Sequence, residues 1–251
     1  MTDPIIVIPA RMAAERLPGK PLLDIGGTPL VVHVWRRARE ARLGPVLVAT
    51  DAPEIARAVE AAGGHAMMTR AEHASGSDRV FEAATAADPD RRHDIVINLQ
   101  ADMPDIAADT LRAAARPLAD PAVDIGTVAA ATADPLRAED PNVVKVIGTR
   151  LALDCLRALY FTRGLAPWGE GDRLAHIGVY AFRRSALARF AALPRSPLEI
   201  RERLEQLRAL EAGMRIDVAL VDAAPISVDS PADLARARAW LEDRISGKTK
   251  S

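Results

Sequence analysis

Short runs of aliphatic and β-branched residues alternate, through the first half of the chain, with longer stretches whose apolar positions recur every three or four residues. Residues 5–8 are followed by 29–41, residues 46–49 by 53–62, and residues 95–99 by 108–118. A continuous apolar run of this length suits a strand covered on both faces, and the amphipathic stretches suit helices laying one stripe against it. The pattern predicts βαβ units: an α/β fold with a mostly parallel sheet covered by helices. Helix starts are expected at Thr28 before Pro29, at Asp51 ahead of Pro53 and Glu54 as a capping box, and at Ser230 before Pro231 with Asp233 following.

The second half changes character. Strands are expected at 143–147, 158–162, 177–182 and 216–220, and helices at 198–212 and 231–244, with Gly213 as a C-terminal glycine. This reads as a smaller α+β lobe on the α/β body. Residues 169–172 suit a loop and 248–251 a frayed tail.

Composition narrows the classes. A chain of 251 residues with 49% hydrophobic and 27% charged residues is ordinary for a globular protein. Its 33 Lys and Arg nearly balance 34 Asp and Glu, so no global field draws it to nucleic acid or to an anionic membrane, and any anion site must be local. Cys155 has no second cysteine to pair with and lies in an apolar stretch, which suits a buried, inert thiol and a reducing compartment. Met1 leads into the first strand without a basic leader or cleavage site, and no segment approaches the roughly 20 apolar residues of a membrane helix, so a cytoplasmic protein is expected.

The candidate chemistry starts where the first strand ends, in Ile8-Pro9-Ala10-Arg11-Met12-Ala13-Ala14-Glu15-Arg16-Leu17-Pro18-Gly19-Lys20-Pro21-Leu22. Ligands of open α/β sheets bind beyond the carboxyl ends of the strands, so Arg11, Arg16 and Lys20 are placed to hold a polyphosphate. No GxGxxG follows this strand, which disfavours a dinucleotide-dependent oxidoreductase. Asn98-Leu99-Gln100-Ala101-Asp102-Met103-Pro104 places a carboxylate at the rim of the sheet, and Asp229 supplies another just before the last helix. Magnesium takes oxygen ligands and needs only one or two carboxylates plus substrate phosphates, a role that fits Asp102; Asp229 on its own suits equally a second ligand or a carboxylate facing the dipole of the last helix.

The loop string closely resembles the IPAR…SxRLPGKPL opening of the sugar-acid cytidylyltransferases, above all the CMP-Kdo synthetases. The likeness continues through Val48-Ala49-Thr50-Asp51, through 68–79 (like MTRxDHxSGTER), and through 228–234 (like VDTPEDL). It takes in Tyr160-Phe161-Thr162-Arg163 (like YFSR), His176-Ile177-Gly178-Val179-Tyr180 (like HLGIY), and 196–199 with 204–208 (like SPLE…LEQLR), so it covers nearly the whole chain.

The resemblance implies a Rossmann-like nucleotide-diphospho-sugar transferase fold. It implies a single domain over 1–251: a nucleotide-binding part over about 1–130, a sugar-binding and dimerisation lobe over about 131–220, and a returning segment with the metal site and last helix over about 221–251. The implied reaction is attack by the anomeric hydroxyl of Kdo, an eight-carbon keto-sugar acid, on the α-phosphorus of CTP, giving CMP-Kdo and pyrophosphate for lipopolysaccharide biosynthesis. Ala10, Arg11, Arg16, Lys20, Ser75, Gly76, Arg79 and Gln100 would hold the nucleotide. Arg163 would pair with the sugar carboxylate, and Gln100, His176, Tyr180, Glu205 and Gln206 would bond its hydroxyls. Asp102 and Asp229 would hold Mg2+, a second ion would ride on the β- and γ-phosphates, and Arg11, Lys20, Asp102 and Asp229 would carry the catalysis in a homodimer.

The chain departs from the family pattern at Ala14 and Glu15, at Ala101 and Met103 where QGDEP has Gly and Glu, in a shorter 166–175, and at Pro225-Ile226-Ser227, which lacks the expected glycines. These leave room for a modified acceptor such as 8-amino-Kdo, a sialic-type or other small acid, and for a non-catalytic nucleotide-sugar binding protein. His33, His65 and His93 receive no role.

Overall fold

A computed structural model describes residues 4–13, 17–132 and 139–246, so the expectations for Ala14, Glu15, Arg16 and the 248–251 tail lie outside the described residues. The chain divides into two compact units. The first takes the described residues of 5–90, 99–108 and 225–246, and the second takes Pro4, 91–98 and 109–224.

In the first unit, β1 (Ile5–Ala10) is buried along its whole length, as its unbroken apolar run requires. The two-residue strands β2 (Asp24–Ile25) and β3 (Thr28–Pro29) form a small hairpin. Helix α1 (Leu30–Glu40) buries Leu30, Val34 and Ala38 along one stripe and Val31 and Trp35 beside it, the i, i+4 spacing read from the sequence. Next come β4 (Val46–Thr50), α2 (Pro53–Ala61), β5 (His65–Met68) and α3 (Gly76–Ala87). Strand β4 pairs parallel with both β1 and β5. The last helix, α8 (Pro231–Ile245), also belongs here and starts with the expected capping box of Ser230 and Asp233.

Two of the expected caps are different. Thr28 pairs with Ile25 in the hairpin instead of capping α1, whose N-cap is Pro29. Asp51 does not cap α2, whose N-cap is Ala52; its carboxylate is taken by Arg79 of α3. For Asp51 a partner distant in sequence outcompetes the local cap, whereas Thr28 is held as a strand residue of the tight hairpin and α1 starts one residue later.

The second unit carries β6 (Ile95–Leu99) and α4 (Ala108–Ala115) except for Leu99 and Ala108 at the division, then β7 (Ile125–Thr132), β8 (Lys145–Ala152), β9 (Cys155–Thr162) and β10 (Arg173–Arg183). It continues with α5 (Arg184–Ala192), α6 (Pro197–Glu202), α7 (Gln206–Glu211) and β11 (Ile216–Val221). Its strands lie in the order β6-β10-β7-β11-β9-β8. Strand β7 pairs parallel with β11, whereas β10 with β7, β11 with β9, and β8 with β9 are antiparallel, so the sheet pairing is mixed.

Strand β7 (IGTVAAAT) escapes the sequence reading because alanine and glycine carry little strand propensity. Gly126 is there because a Cβ at that position would lie 2.2 Å from the Ala114 carbonyl oxygen. The expected helix at 108–118 ends early and passes into a 3₁₀ turn, Arg116–Ala119, at Pro117.

The expected single helix at 198–212 is broken. Arg203 adopts φ 56, ψ 45 and separates α6 from α7. The cause is the buried pair of Glu199 and Arg208, which meet through two hydrogen bonds of 2.9 and 2.8 Å. In one continuous helix these residues would be about 13 Å apart along the axis, so the break is what lets them meet. Gly213 follows α7 with φ 72, as a C-terminal glycine should.

Candidate functional site

The basic loop is shaped by its own backbone. Gly19, at φ 68, turns the chain where an L side chain would be strained, and its N–H donates to the Met12 carbonyl. Lys20 follows at the head of a 3₁₀ turn, Lys20–Leu22, and its ammonium reaches Asp102 Oδ2 at 2.9 Å and Asp229 Oδ1 at 3.2 Å. Three residues separated by up to 209 positions thus converge on one point in the first unit. Burial acts to lower the Lys20 pKa, but the charges and hydrogen bonds of Asp102 and Asp229 outweigh it and hold the ammonium above the ordinary lysine value. Arg11, just past β1, is exposed, and Ala10 closes the strand with 4% exposure.

Asp229 is delivered by a backbone clasp. The Val228 N–H donates to the Asp102 carbonyl at 2.9 Å, and the Asp229 N–H donates to Asp233 Oδ2 at 3.1 Å. Met103, where the family pattern has an acid, is 3% exposed and acts as a core side chain.

The donor set can be tested for magnesium. Two carboxylates already converge on a single cationic centre, the Lys20 ammonium, and both are hard oxygen donors. No group of three or more His, Cys, Asp or Glu forms a metal-type cluster among the described residues. Two carboxylates, completed by substrate phosphates and water, match magnesium's habit better than that of an ion needing an all-protein cage.

Around this point, a Cβ on Gly76 would lie 3.5 Å from Pro9 Cγ and 3.7 Å from Gln100 Nε2, so the end of β1, the start of α3 and Gln100 share one neighbourhood. Ser75 caps α3: its hydroxyl accepts from the Asp78 N–H and donates to Asp78 Oδ2. Arg79 points inward, at 3% exposure, and donates to Thr69 Oγ1 at 2.5 Å and to Asp51 Oδ2 at 2.9 Å, tying the end of β4 to α3.

The residues expected at the sugar lie in the second unit. Arg163 donates from Nε to the Glu202 carbonyl and from Nη1 to the Pro141 carbonyl, each at 2.9 Å. Glu202 also accepts from the Arg163 N–H and the Thr162 hydroxyl at 2.9 Å, and from the Tyr160 hydroxyl at 3.4 Å. Lys145, fully buried, donates to the carbonyls of Arg163, Val143 and Asp140. Glu202 and Lys145 were not singled out from the sequence. A lysine inside the apolar run 143–147 was the one available signal, whereas nothing in its local spacing marks Glu202.

Gln206 is 4% exposed, and its Nε2 has no hydrogen-bond partner among the described residues, which suits an amide completed by a ligand acceptor. Tyr180 is 6% exposed; burial and the nearby Glu205 carboxylate push its phenol well above the ordinary tyrosine value.

His176 packs edge-on to Phe161, at 5.0 Å between centroids, and beside Tyr180, at 5.3 Å. Thr127 donates its one hydroxyl proton to the Val179 carbonyl at 2.7 Å, so at 3.0 Å its oxygen accepts from His176 Nε2–H. That assigns the proton to Nε2 and leaves Nδ1 as an acceptor. Burial pulls the imidazole pKa from 6.5 down to about 3. Between those values the unfolded chain binds a proton that the folded chain refuses. Stability is therefore unaffected by this group above pH 6.5 and falls as pH drops toward 3, by about 1.4 kcal/mol per unit inside the window. Urea titrations at about pH 7 and about pH 5 are expected to show a smaller acid loss in His176→Gln than in the parent; equal losses would remove His176 as the source.

Comparison with known proteins fits this layout. A family described as Cytidylyltransferase matches residues 5–216. A 3-deoxy-manno-octulosonate cytidylyltransferase of Rhodopseudomonas palustris is 64% identical over 243 residues, covering 96% of this chain and 99% of its own. One of Methylobacterium radiotolerans is 61% identical over 244 residues, covering 97% and 99%. A solved CMP:2-keto-3-deoxy-manno-octonic acid synthetase complexed with CTP superposes with a TM-score of 0.88 at 40% identity, covering 97% of this chain and all of that one.

Proposed function

This chain belongs to the cytidylyltransferase family, and from that premise we propose that it transfers CMP from CTP to the anomeric hydroxyl of Kdo and releases pyrophosphate. The relatives at 61% and 64% identity, both 3-deoxy-manno-octulosonate cytidylyltransferases, support Kdo as the acceptor. The observation that carries the reaction class is the convergence of Asp102 and Asp229 on Lys20. A protein that merely bound a nucleotide-sugar would have little use for two carboxylates gathered beside a basic loop, because bare carboxylates repel phosphates.

In this reading Lys20 and Arg11 bind the polyphosphate and stabilise the departing pyrophosphate, with catalysis by positioning and charge neutralisation and without a covalent enzyme intermediate. Asp102 and Asp229 would hold magnesium. Bound there, the ion would neutralise phosphate charge and ease ionisation of the attacking hydroxyl. Gly76 and Gln100 would line the nucleotide's place, while Arg79 holds the surrounding strand end.

Arg163 is assigned to the acceptor carboxylate, its fork held in orientation by the Glu202 and Pro141 carbonyls. Gln206 Nε2, His176 Nδ1 and Glu205 are assigned to its hydroxyls. Arg163→Ala is expected to raise the KM for Kdo by about a hundredfold, with little change in the KM for CTP. An equal rise in both would show that Arg163 does not read the acceptor.

A homodimer is also proposed. Strand β8 pairs with β9 and, at Lys145 alone, with β10, and the β8–β9 hairpin leaves Leu151, Leu153 and Leu159 at 50%, 91% and 59% exposure, an apolar surface that a second copy would cover. Sedimentation equilibrium should return twice the 26.9 kDa chain mass; a single-chain mass at all concentrations would sink the dimer.

A further inference from the structure

The geometry points to Asp105 as a positioning residue that holds Asp229 beside Asp102, an inference that rests on the assignment of those two carboxylates above. The stretch from Ile226 to Asp229 is irregular backbone between β11 and α8, and Pro225-Ile226-Ser227 contains no glycine. Its path is set by hydrogen bonds. The Val228 and Asp229 N–H groups are taken by the Asp102 carbonyl and by Asp233, and the Ile226 N–H donates to Asp105 Oδ1 at 2.9 Å.

The support beneath Asp105 is itself anchored. The Ile106 N–H donates to the Met103 carbonyl at 3.3 Å, and Arg37 of α1 donates from Nε to the Ile106 carbonyl at 3.0 Å. Met103 and Ile106 are buried, at 3% and 0% exposure, so the 102–106 loop is pinned to the core on both sides of Asp105. Asp105 therefore reaches from a fixed loop to a segment that ends, three residues later, in a carboxylate of the site. The Val228 bond sets the height of that segment over Asp102, and the Asp105 bond sets its direction. Without the second constraint Asp229 swings away from Asp102, and an error of about 1 Å at such a site is costly.

The test uses the whole chain and Mn2+ as the spectroscopic probe, with metal binding read by electron paramagnetic resonance and kcat and KM measured separately. Asp105→Ala is expected to weaken Mn2+ binding about tenfold and to lower kcat about tenfold, with the KM for CTP changed less than threefold. Asp105→Asn keeps a carbonyl oxygen for the Ile226 N–H and should recover most of both losses. If Asp105→Ala proves unfolded, Asp105→Ser, with a side chain too short to reach the amide, takes its place. Parent-like Mn2+ binding and kcat in the Ala or Ser variant would overturn the inference, as would an Asn variant as impaired as either. An Asp102→Asn control separates the two levels: if it too binds Mn2+ normally, the carboxylate assignment fails, and if it alone loses the metal, only the role of Asp105 fails.

Discussion

Asp102→Asn is expected to yield a folded protein whose turnover is lower by about 10²–10³-fold. Asparagine keeps the side-chain volume, and the Val228 bond goes to the backbone carbonyl of residue 102, so the clasp that brings in Asp229 survives. Lys20 retains Asp229 at 3.2 Å. In the proposed assignment this removes one of two anionic oxygen ligands, so the magnesium concentration needed for half-maximal rate should rise while the melting temperature stays near that of the parent. Near-normal turnover at limiting magnesium, in folded protein, would remove Asp102 from the metal and leave it as a partner of Lys20 alone.

Arg208→Leu is expected to cost about 3–5 kcal/mol of stability, a large share of the roughly 5–15 kcal/mol that holds a typical domain together. The Arg208 and Glu199 side chains are 4% and 5% exposed, and the guanidinium also stacks over Phe190 at 4.7 Å. Burial acts to raise the Glu199 pKa, but its hydrogen bonds from Arg208 outweigh that and hold the carboxylate below the ordinary glutamate value. Removing the arginine leaves a buried carboxylate helped, among the described residues, by Arg195 at 3.4 Å and the Ser196 N–H. The melting temperature should fall by roughly 10 °C. The effect should extend to two residues proposed to meet the acceptor, because the same pair folds α7 back on α6 and so sets the places of Glu205 and Gln206. A loss below about 1 kcal/mol would mean the pair is not what holds the α6–α7 turn.

Legibility from sequence followed the range of the forces involved. Strands β1, β4 and β6 and helices α1, α2 and α8 were readable because burial on a fixed period writes itself into consecutive residues. The capping box of Ser230 and Asp233 was readable because its partners are three residues apart. The caps assigned to Thr28 and Asp51 were not, since Thr28 is a strand residue of the β2–β3 hairpin and Arg79 from another helix takes the Asp51 carboxylate. Likewise, the break at Arg203 is imposed by a pair nine positions apart that no helical period anticipates. At the site, the approach of Lys20, Asp102 and Asp229 spans the whole chain, and only the resemblance of their separate motifs to one family linked them in advance. Glu202 and Asp105 carried no such motif, and only the fold reveals what they hold.

The central claim is that this chain activates Kdo with CTP, and pyrophosphate release from CTP and magnesium tests it most directly, measured in turn with Kdo, its 8-amino analogue, a sialic acid and no acceptor. The account predicts release with Kdo and none without an acceptor. No release with any acceptor, from folded protein that still binds CTP, would contradict it and leave a nucleotide-binding protein in its place; release with the sialic acid but not with Kdo would keep the reaction and overturn the acceptor.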